Sequence, residues 1–283
     1  MTYSICVSGG IINYPIFQLG PINVNIHKGF ITAIIGRNGA GKTTFLRGIV
    51  NERPFDAGTQ RIEGLSYQTD RIELNGKVSY VSEHVNMYGS FSCQEAIEFI
   101  SNCHENWDTQ LEKKLIERFQ LPLQKKVDDL SKGMEIKLNF LLGVCFHPTV
   151  LLLDEPTAGL DPISRKEMLA VVQDFMLDES RTVLFSSHIT TDFEQIADYI
   201  IYMKDGQVAL AGQKEELIER YRYFSTREQH LNAKVEGCKR TKAGTVGVVC
   251  ATEQDFLPQA ECRSPTLDEL LEFVVETPSE VKE

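Results

Sequence analysis

The sequence predicts an α/β fold, a parallel or mixed sheet wrapped by helices, on three observations. Strand-like and helix-like hydrophobic patterns alternate along most of the chain, as they do when each strand is followed by a covering helix. The apolar stretch FITAIIG (30–36) runs straight into a glycine-rich loop, GRNGAGKTT, from which a helix leaves at Lys42. A second apolar run, TVLLLD (149–154), ends in two consecutive acids, Asp154 and Glu155, with Pro156 fixing the exit.

The remaining elements follow in order. KVSYVSE (77–83) reads as a short strand, and the helix after it opens on a capping box made by Ser92 and Glu95. Helical character continues to about Gln120 with one break at Asn106 to Asp108, where Asp108 can cap DTQLEKKLIERF. Residues of about 84–146 thus form a helical insert, and inside it LSKGMEIKLNFLLG (130–143) opens with Ser131 at a helix start. A helix from about Ser164 to Met176, a strand TVLFSS (182–187) and a helix TDFEQIAD (191–198) come next. YIIYMKDGQVALAG places two apolar runs around Asp205-Gly206, the dipeptide suited to a type I′ hairpin turn. A charged helix from Gln213 to about Tyr223 closes a first domain of residues 1–224. The segment 225–283 has fewer long apolar runs, a strand TVGVVCA (245–251) and a helix TLDELLEFVV capped by Thr266 and Glu269, so it reads as a small appended α+β subdomain.

Composition narrows the function. With 283 residues, 42% of them apolar, the chain can bury a sizeable core. It holds no run of the roughly 18 to 20 apolar residues a membrane helix needs, and MTYSICVSGG lacks the regions of a signal peptide, so a location inside the cell and outside the bilayer is expected. Seven scattered cysteines without a CxxC pair argue against a disulfide framework or a zinc site. A formal charge of −11 repels nucleic acid, and Lys239, Arg240 and Lys242 are too short a basic cluster to reverse that.

The chemistry concentrates in three places. GRNGAGKTT contains G-x-x-x-x-G-K-[ST] as Gly36, Gly41, Lys42 and Thr43. Gly36, Gly39 and Gly41 let backbone N–H groups, including those around Asn38 and Thr44, turn inward on phosphate oxygens; Lys42 brings a mobile charge to the β and γ phosphates, and the Thr43 hydroxyl suits Mg²⁺. Asp154 ends its strand at the sheet edge beside that loop and can hold the same metal, while Glu155 can polarise an attacking water. His188, in SSH at the end of another strand, can reach that edge and sense a γ-phosphate; a lone histidine is otherwise commonly structural.

In that order, Gly36 to Thr43, LSKGM (130–134), LLLDEP (151–156), AGLD (158–161) and SSH (186–188) resemble the Walker A, signature, Walker B, D-loop and switch-histidine motifs of ATP-binding-cassette (ABC) ATPases. The resemblance covers about residues 1–224. It implies a P-loop nucleotide-binding domain with a RecA-like mixed-sheet core, an antiparallel β subdomain and a helical subdomain, ATP and Mg²⁺ as ligands, and a partner permease in the membrane. It also implies a head-to-tail pair, homodimer or heterodimer, in which Ser131 and Gly133 contact the nucleotide of the other copy, with Asp161 as the D-loop aspartate. By position Tyr14 of NYPIF is the ring that stacks on adenine, with Phe17 the alternative. Two departures stand out: Lys132 and Met134 replace a glycine and a glutamine of the usual signature, and Glu83 stands where the family has its Q-loop glutamine. A glutamate can still meet a metal or water but cannot donate a hydrogen bond. In detail the chain is similar to the ATPase subunits of small bacterial ABC-2-type exporters of antimicrobial peptides and antibiotics. A regulatory cassette without a permease and a binding module of weak catalysis are the alternatives at this point.

Overall fold

The computed structural model describes residues 2–82, 87–188, 194–227, 235–241, 244–256 and 260–276. Glu83, and residues 191–193 of the helix expected at 191–198, lie outside them. The chain divides into two compact units, Met1–Ala197 with Met203–Val208, and Asp198–Tyr202 with Ala209–Glu283.

The first unit opens with β1 (Tyr3–Tyr14) and β2 (Phe17–His27), an antiparallel pair. In β2, buried Leu19, Ile22, Val24 and Ile26 alternate with exposed Asn23 and Asn25, so one face meets the core and the other water. β3 (Ile31–Ile35) is buried along its whole length and leads through the glycine loop into α1 (Lys42–Ile49). β4 (Ala57–Ile62) pairs with β1, giving a three-stranded antiparallel sheet in the order β2-β1-β4. This is the antiparallel subdomain that the resemblance implied.

After α2 (Arg71–Lys77) comes β5 (Val78–Val81), shorter than expected. The helical insert holds α3 (Cys93–Ser101), α4 (Thr109–Phe119) and α5 (Lys132–Val144). Both sides of the Ser92–Glu95 capping box are formed. Asp108 accepts from the N–H groups of Gln110 and Leu111 at 2.8 and 2.9 Å, which fixes where α4 begins. Gln120, at φ 52°, ends it in a left-handed residue. Phe119 and Phe140 join α4 to α5 edge to face at 6.2 Å.

β6 (Val150–Asp154), α6 (Pro162–Phe175) and β7 (Thr182–Ser187) complete the core of this unit. Four parallel strands lie in the order β5-β6-β7-β3. Leu151, Leu152, Leu153, Val183 and Leu184 are fully buried, the continuous apolar signature of strands covered on both faces. Asp154 pairs with Ser186, and Ile35 with Ser187, so the phosphate loop, the paired acids and the end of β7 emerge in one row at the carboxyl edge of the sheet. β8 (Tyr199–Lys204) and β9 (Gln207–Gln213) flank Asp205 and Gly206, whose φ values of 49° and 76° are those of the expected I′ turn. The turn itself, residues 203–208, belongs to the first unit.

The second unit contains α7 (Lys214–Arg220), β10 (Tyr221–Thr226), β11 (Val235–Thr241), β12 (Gly244–Cys250), β13 (Glu261–Arg263) and α8 (Leu267–Leu271), the last opening on the Thr266–Glu269 capping box. Its antiparallel sheet runs β11-β12-β10-β13, with Phe224, Cys238 and Val249 in its core. Two expectations are corrected here. The helix expected to reach Tyr223 stops at Arg220, because Tyr221 onward is drawn into pairing with β12 and β13. A boundary after residue 224 would cut through β10, so the second unit begins upstream of it.

Candidate functional site

The glycine loop owes its shape to backbone positions that side chains resist. Gly41, the residue before α1, sits at φ 103°, and a Cβ there would also crowd Leu19 and Phe17 at 3.0 Å. With no acid in its first turn and no side-chain cap, α1 presents unpaired N–H groups and the positive end of its dipole to the loop.

Phe17, Asn38, Gly39, Gly41, Lys42, Thr43, Thr44, Lys132, Glu155, Ala158, Gly159 and His188 line a cleft of about 740 Å³ at this loop. Lys42 is only 6% exposed; its ammonium donates to the Gly36 carbonyl at 2.8 Å and lies 3.3 Å from a carboxylate oxygen of Glu155. The other Glu155 oxygen meets Nδ1 of His188 at 2.8 Å. One half-buried carboxylate therefore joins a buried cation to a histidine that is 43% exposed. Glu155 holds this place at φ 51°, a left-handed conformation that costs a non-glycine residue about 1 kcal/mol. Its N–H is anchored twice by Ser186, to the hydroxyl at 3.0 Å and the carbonyl at 3.2 Å.

Asp154 is buried behind this cluster. Its Oδ1 accepts from Ser186 Oγ at 2.6 Å and from Thr43 Oγ1 at 3.1 Å, and its Oδ2 from Tyr80 Oη at 3.2 Å. Burial first, and then the Asp154 charge, push the Tyr80 phenol above its ordinary range, so it stays a neutral donor. Arg47 hydrogen-bonds Tyr80, and that contact raises the guanidinium further.

Asn38, Gly39, Gly41, Lys42, Thr43, Thr44, Glu155 and His188 are thus brought to one cleft, with Gly36 and Asp154 bonded to its members. Tyr14 is not among the cleft residues: it is 43% exposed and carries Arg53 over its ring at 5.6 Å, whereas Phe17 faces the loop. Ser131 caps α5, its hydroxyl accepting from the Met134 N–H at 3.4 Å, and neither it nor Gly133 reaches the cleft. Asp161 caps α6 through the N–H groups of Ile163 and Ser164 at 2.9 and 3.0 Å, and its bonds to Ser164 hold it below the usual carboxylate range. Glu83 lies outside the described residues. Sequence reasoning missed Ser186, Tyr80 and Arg47. Ser186 was within reach, since it stands in SSH opposite the strand that carries the acids; the other two depend on cross-strand geometry.

Comparison with known proteins places this chain in a family. Residues 19–158 match the model of the ABC transporter family. The lantibiotic transport ATP-binding protein SrtF of Streptococcus pyogenes is 31% identical over 202 residues, which are 68% of this chain and 82% of that one. The bacitracin transport ATP-binding protein BcrA of Enterococcus faecalis is 30% identical over 206 residues, 72% and 67% of the two chains. Among solved structures, an ATP-binding subunit of an ABC transporter superposes with a TM-score of 0.69 at 22% identity over 76% of this chain and 92% of its own. The dimeric cassette MJ0796 bound to ADP and Pi gives 0.66 at 20% identity over 74% and 98%. With a phosphate loop, Glu155 and a histidine meeting in one cleft, a family match over residues 19–158 and relatives 30 and 31% identical over two thirds or more of their length, the chain belongs to the ABC transporter family, as an ATP-binding and ATP-hydrolysing subunit.

Proposed function

We propose that this subunit works as one half of a head-to-tail pair of cassettes and powers a separate membrane permease that exports a peptide, an antibiotic or another amphipathic cargo. The observation that carries the hydrolytic part is Glu155, held between Lys42 and His188 beside the Thr43–Asp154 pair. Loop N–H groups and Lys42 take the β and γ phosphates. Thr43 and Asp154, two hard oxygen donors 3.1 Å apart, fit Mg²⁺, which takes few protein ligands beside phosphate and water and would neutralise phosphate charge there. Once phosphate engages Lys42, Glu155 is free to accept a proton from the attacking water, and His188 holds the γ end. Phe17, rather than Tyr14, is the ring for adenine.

Ser131 and Gly133, away from this chain's own cleft, are proposed to serve the nucleotide of the other cassette, whether a second copy or a different chain. No described helix is long and apolar enough to cross a membrane, so the permease is proposed to be a separate protein, with this subunit held at the inner face of the membrane through it. The relatives' names, lantibiotic and bacitracin transport, support export as the direction.

Glu155→Gln tests the reading. The amide is nearly isosteric but cannot take the proton, so turnover is lost while ATP stays bound and the pair accumulates. Light scattering with and without ATP measures this; a variant that keeps hydrolysing sinks the role of Glu155, and an unchanged mass sinks the pair.

A further inference from the structure

We propose that the pocket between α4 and the end of α6 is a binding site for a medium-chain monocarboxylate, an amphipathic anion with one charge and an apolar tail. The pocket has a volume of about 270 Å³ and shares no lining residue with the nucleotide cleft. Its walls are apolar. Leu115, Val144, Val171 and Phe175 are buried, Leu111 is half-buried, and Leu177 lines the same pocket while 82% exposed to water. A volume just below the range of about 300–1,000 Å³ for drug-sized ligands suits a single short hydrocarbon chain rather than a nucleotide.

The charged groups around these walls set the head group. Arg118 is matched by Asp174 at 3.0 Å. Arg181 meets Asp178 at 3.3 Å, donates to the Phe175 carbonyl at 3.2 Å and lies over the Phe175 ring at 4.6 Å. It also reaches Nδ1 of His147 at 3.1 Å, and because a guanidinium can only donate, the ring hydrogen sits on Nε2 and is given to Asp108 at 2.9 Å. Asp108 is further engaged by the N–H groups that open α4. Lys114 differs from all of these: it lines the pocket, is exposed, and makes no ion pair or hydrogen bond with another described residue. One unmatched ammonium beside apolar walls, in a chain whose formal charge is −11, matches one negative charge on an apolar body. A phosphate would bring more charge than that single cation answers and no surface to cover the walls.

The test is a ligand-observed NMR titration of the full chain with octanoate, compared with hexanoate, 1-octanol and inorganic phosphate. Octanoate should bind saturably, hexanoate about tenfold more weakly for its two missing methylenes, and octanol about threefold to fivefold more weakly for its missing charge. Lys114→Met keeps the aliphatic stem and removes the ammonium. It should bring octanoate down to the affinity of octanol and leave octanol unchanged, whereas Lys114→Arg stays within about twofold of the parent. Leu177→Asp, at an exposed position, adds a carboxylate to the pocket and should weaken octanoate more than octanol. Melting followed at Trp107 confirms that each variant is folded. Saturating ATP should leave octanoate bound, since the two sites share no lining residue. The proposal is overturned by an absence of octanoate binding, by octanol binding as tightly as octanoate, by wild-type octanoate affinity in Lys114→Met, or by displacement with phosphate or ATP, which would place the anion in the nucleotide cleft.

Discussion

Ser186→Ala removes one hydroxyl and nothing else from the residue that ties both acids to β7. That hydroxyl is fully buried, donates to Asp154 at 2.6 Å and accepts from the Glu155 N–H at 3.0 Å. The Glu155 N–H keeps the Ser186 carbonyl at 3.2 Å, so it is not orphaned, and Asp154 keeps Thr43 and Tyr80. Two bonds are therefore lost without leaving either partner unpaired, and the larger share, about 1.5–3 kcal/mol, comes from the one to the buried Asp154 carboxylate. Because Glu155 holds a left-handed backbone partly through this anchor, some of the loss should reach the catalytic step, with kcat down about tenfold and KM for ATP little changed, an effect of about 1.4 kcal/mol. Trp107, the chain's only tryptophan, lies in the first unit, so urea unfolding followed by its fluorescence reports on that unit alone. An alanine variant within about 0.5 kcal/mol of the parent, with unchanged turnover, would refute the idea that Ser186 sets the acids in place.

Two further outcomes are expected. Tyr80→Phe deletes the donor to Asp154 Oδ2, at about 1 kcal/mol of stability, and should raise the Mg²⁺ concentration needed for half-maximal ATP binding about threefold; an identical Mg²⁺ titration would leave Tyr80 a packing residue only. Asp108 is held below its ordinary value of 3.8, first by the Leu111 N–H and also by His147, so its contribution is complete above about pH 4 and fades as pH falls through the lower folded value. Asp108→Ala should accordingly cost about 1 kcal/mol at pH 7 and less near pH 2, which melting curves at the two pH values can check; an equal cost at both would remove the charge from the account.

What could be read ahead of the structure was chemistry that acts within a few residues. The caps at Ser92, Asp108 and Thr266 and the Asp205-Gly206 turn are local devices, and each stands where its residues indicate. β1 escaped notice because irregular pairing around Gly9 and Gly10 breaks the alternation that marks a strand. β10 reads as the end of a helix because it continues the charged run of KEELIER, although the alternation of Arg and Tyr over 220–223 suits a strand; pairing with β12 and β13 decides for the strand. In and behind the cleft, Lys42, Thr43, Asp154, Glu155 and His188 announce themselves by motif. Phe17, by contrast, gains its place over Tyr14 from where Gly41 brings the loop, a relation between distant residues that no local pattern encodes.

The hairpin tip at 203–208 has a bearing on how the protein is made. Gly206 donates to the Ala40 carbonyl at 3.1 Å and accepts from the Gly20 N–H at 2.8 Å, while the Met203 carbonyl backs against Gly36, leaving no room for a side chain there. The glycine loop is thus synthesised early and braced late. A ribosome-bound chain ending short of residue 208 has every motif of the catalytic cleft but not the backbone that holds the loop's shape, so a nascent subunit should acquire nucleotide only after the tip emerges. Until then the contacts of Gly20, Gly36 and Ala40 with the tip are unmade, and the last few residues of the first unit act as the latch that makes them.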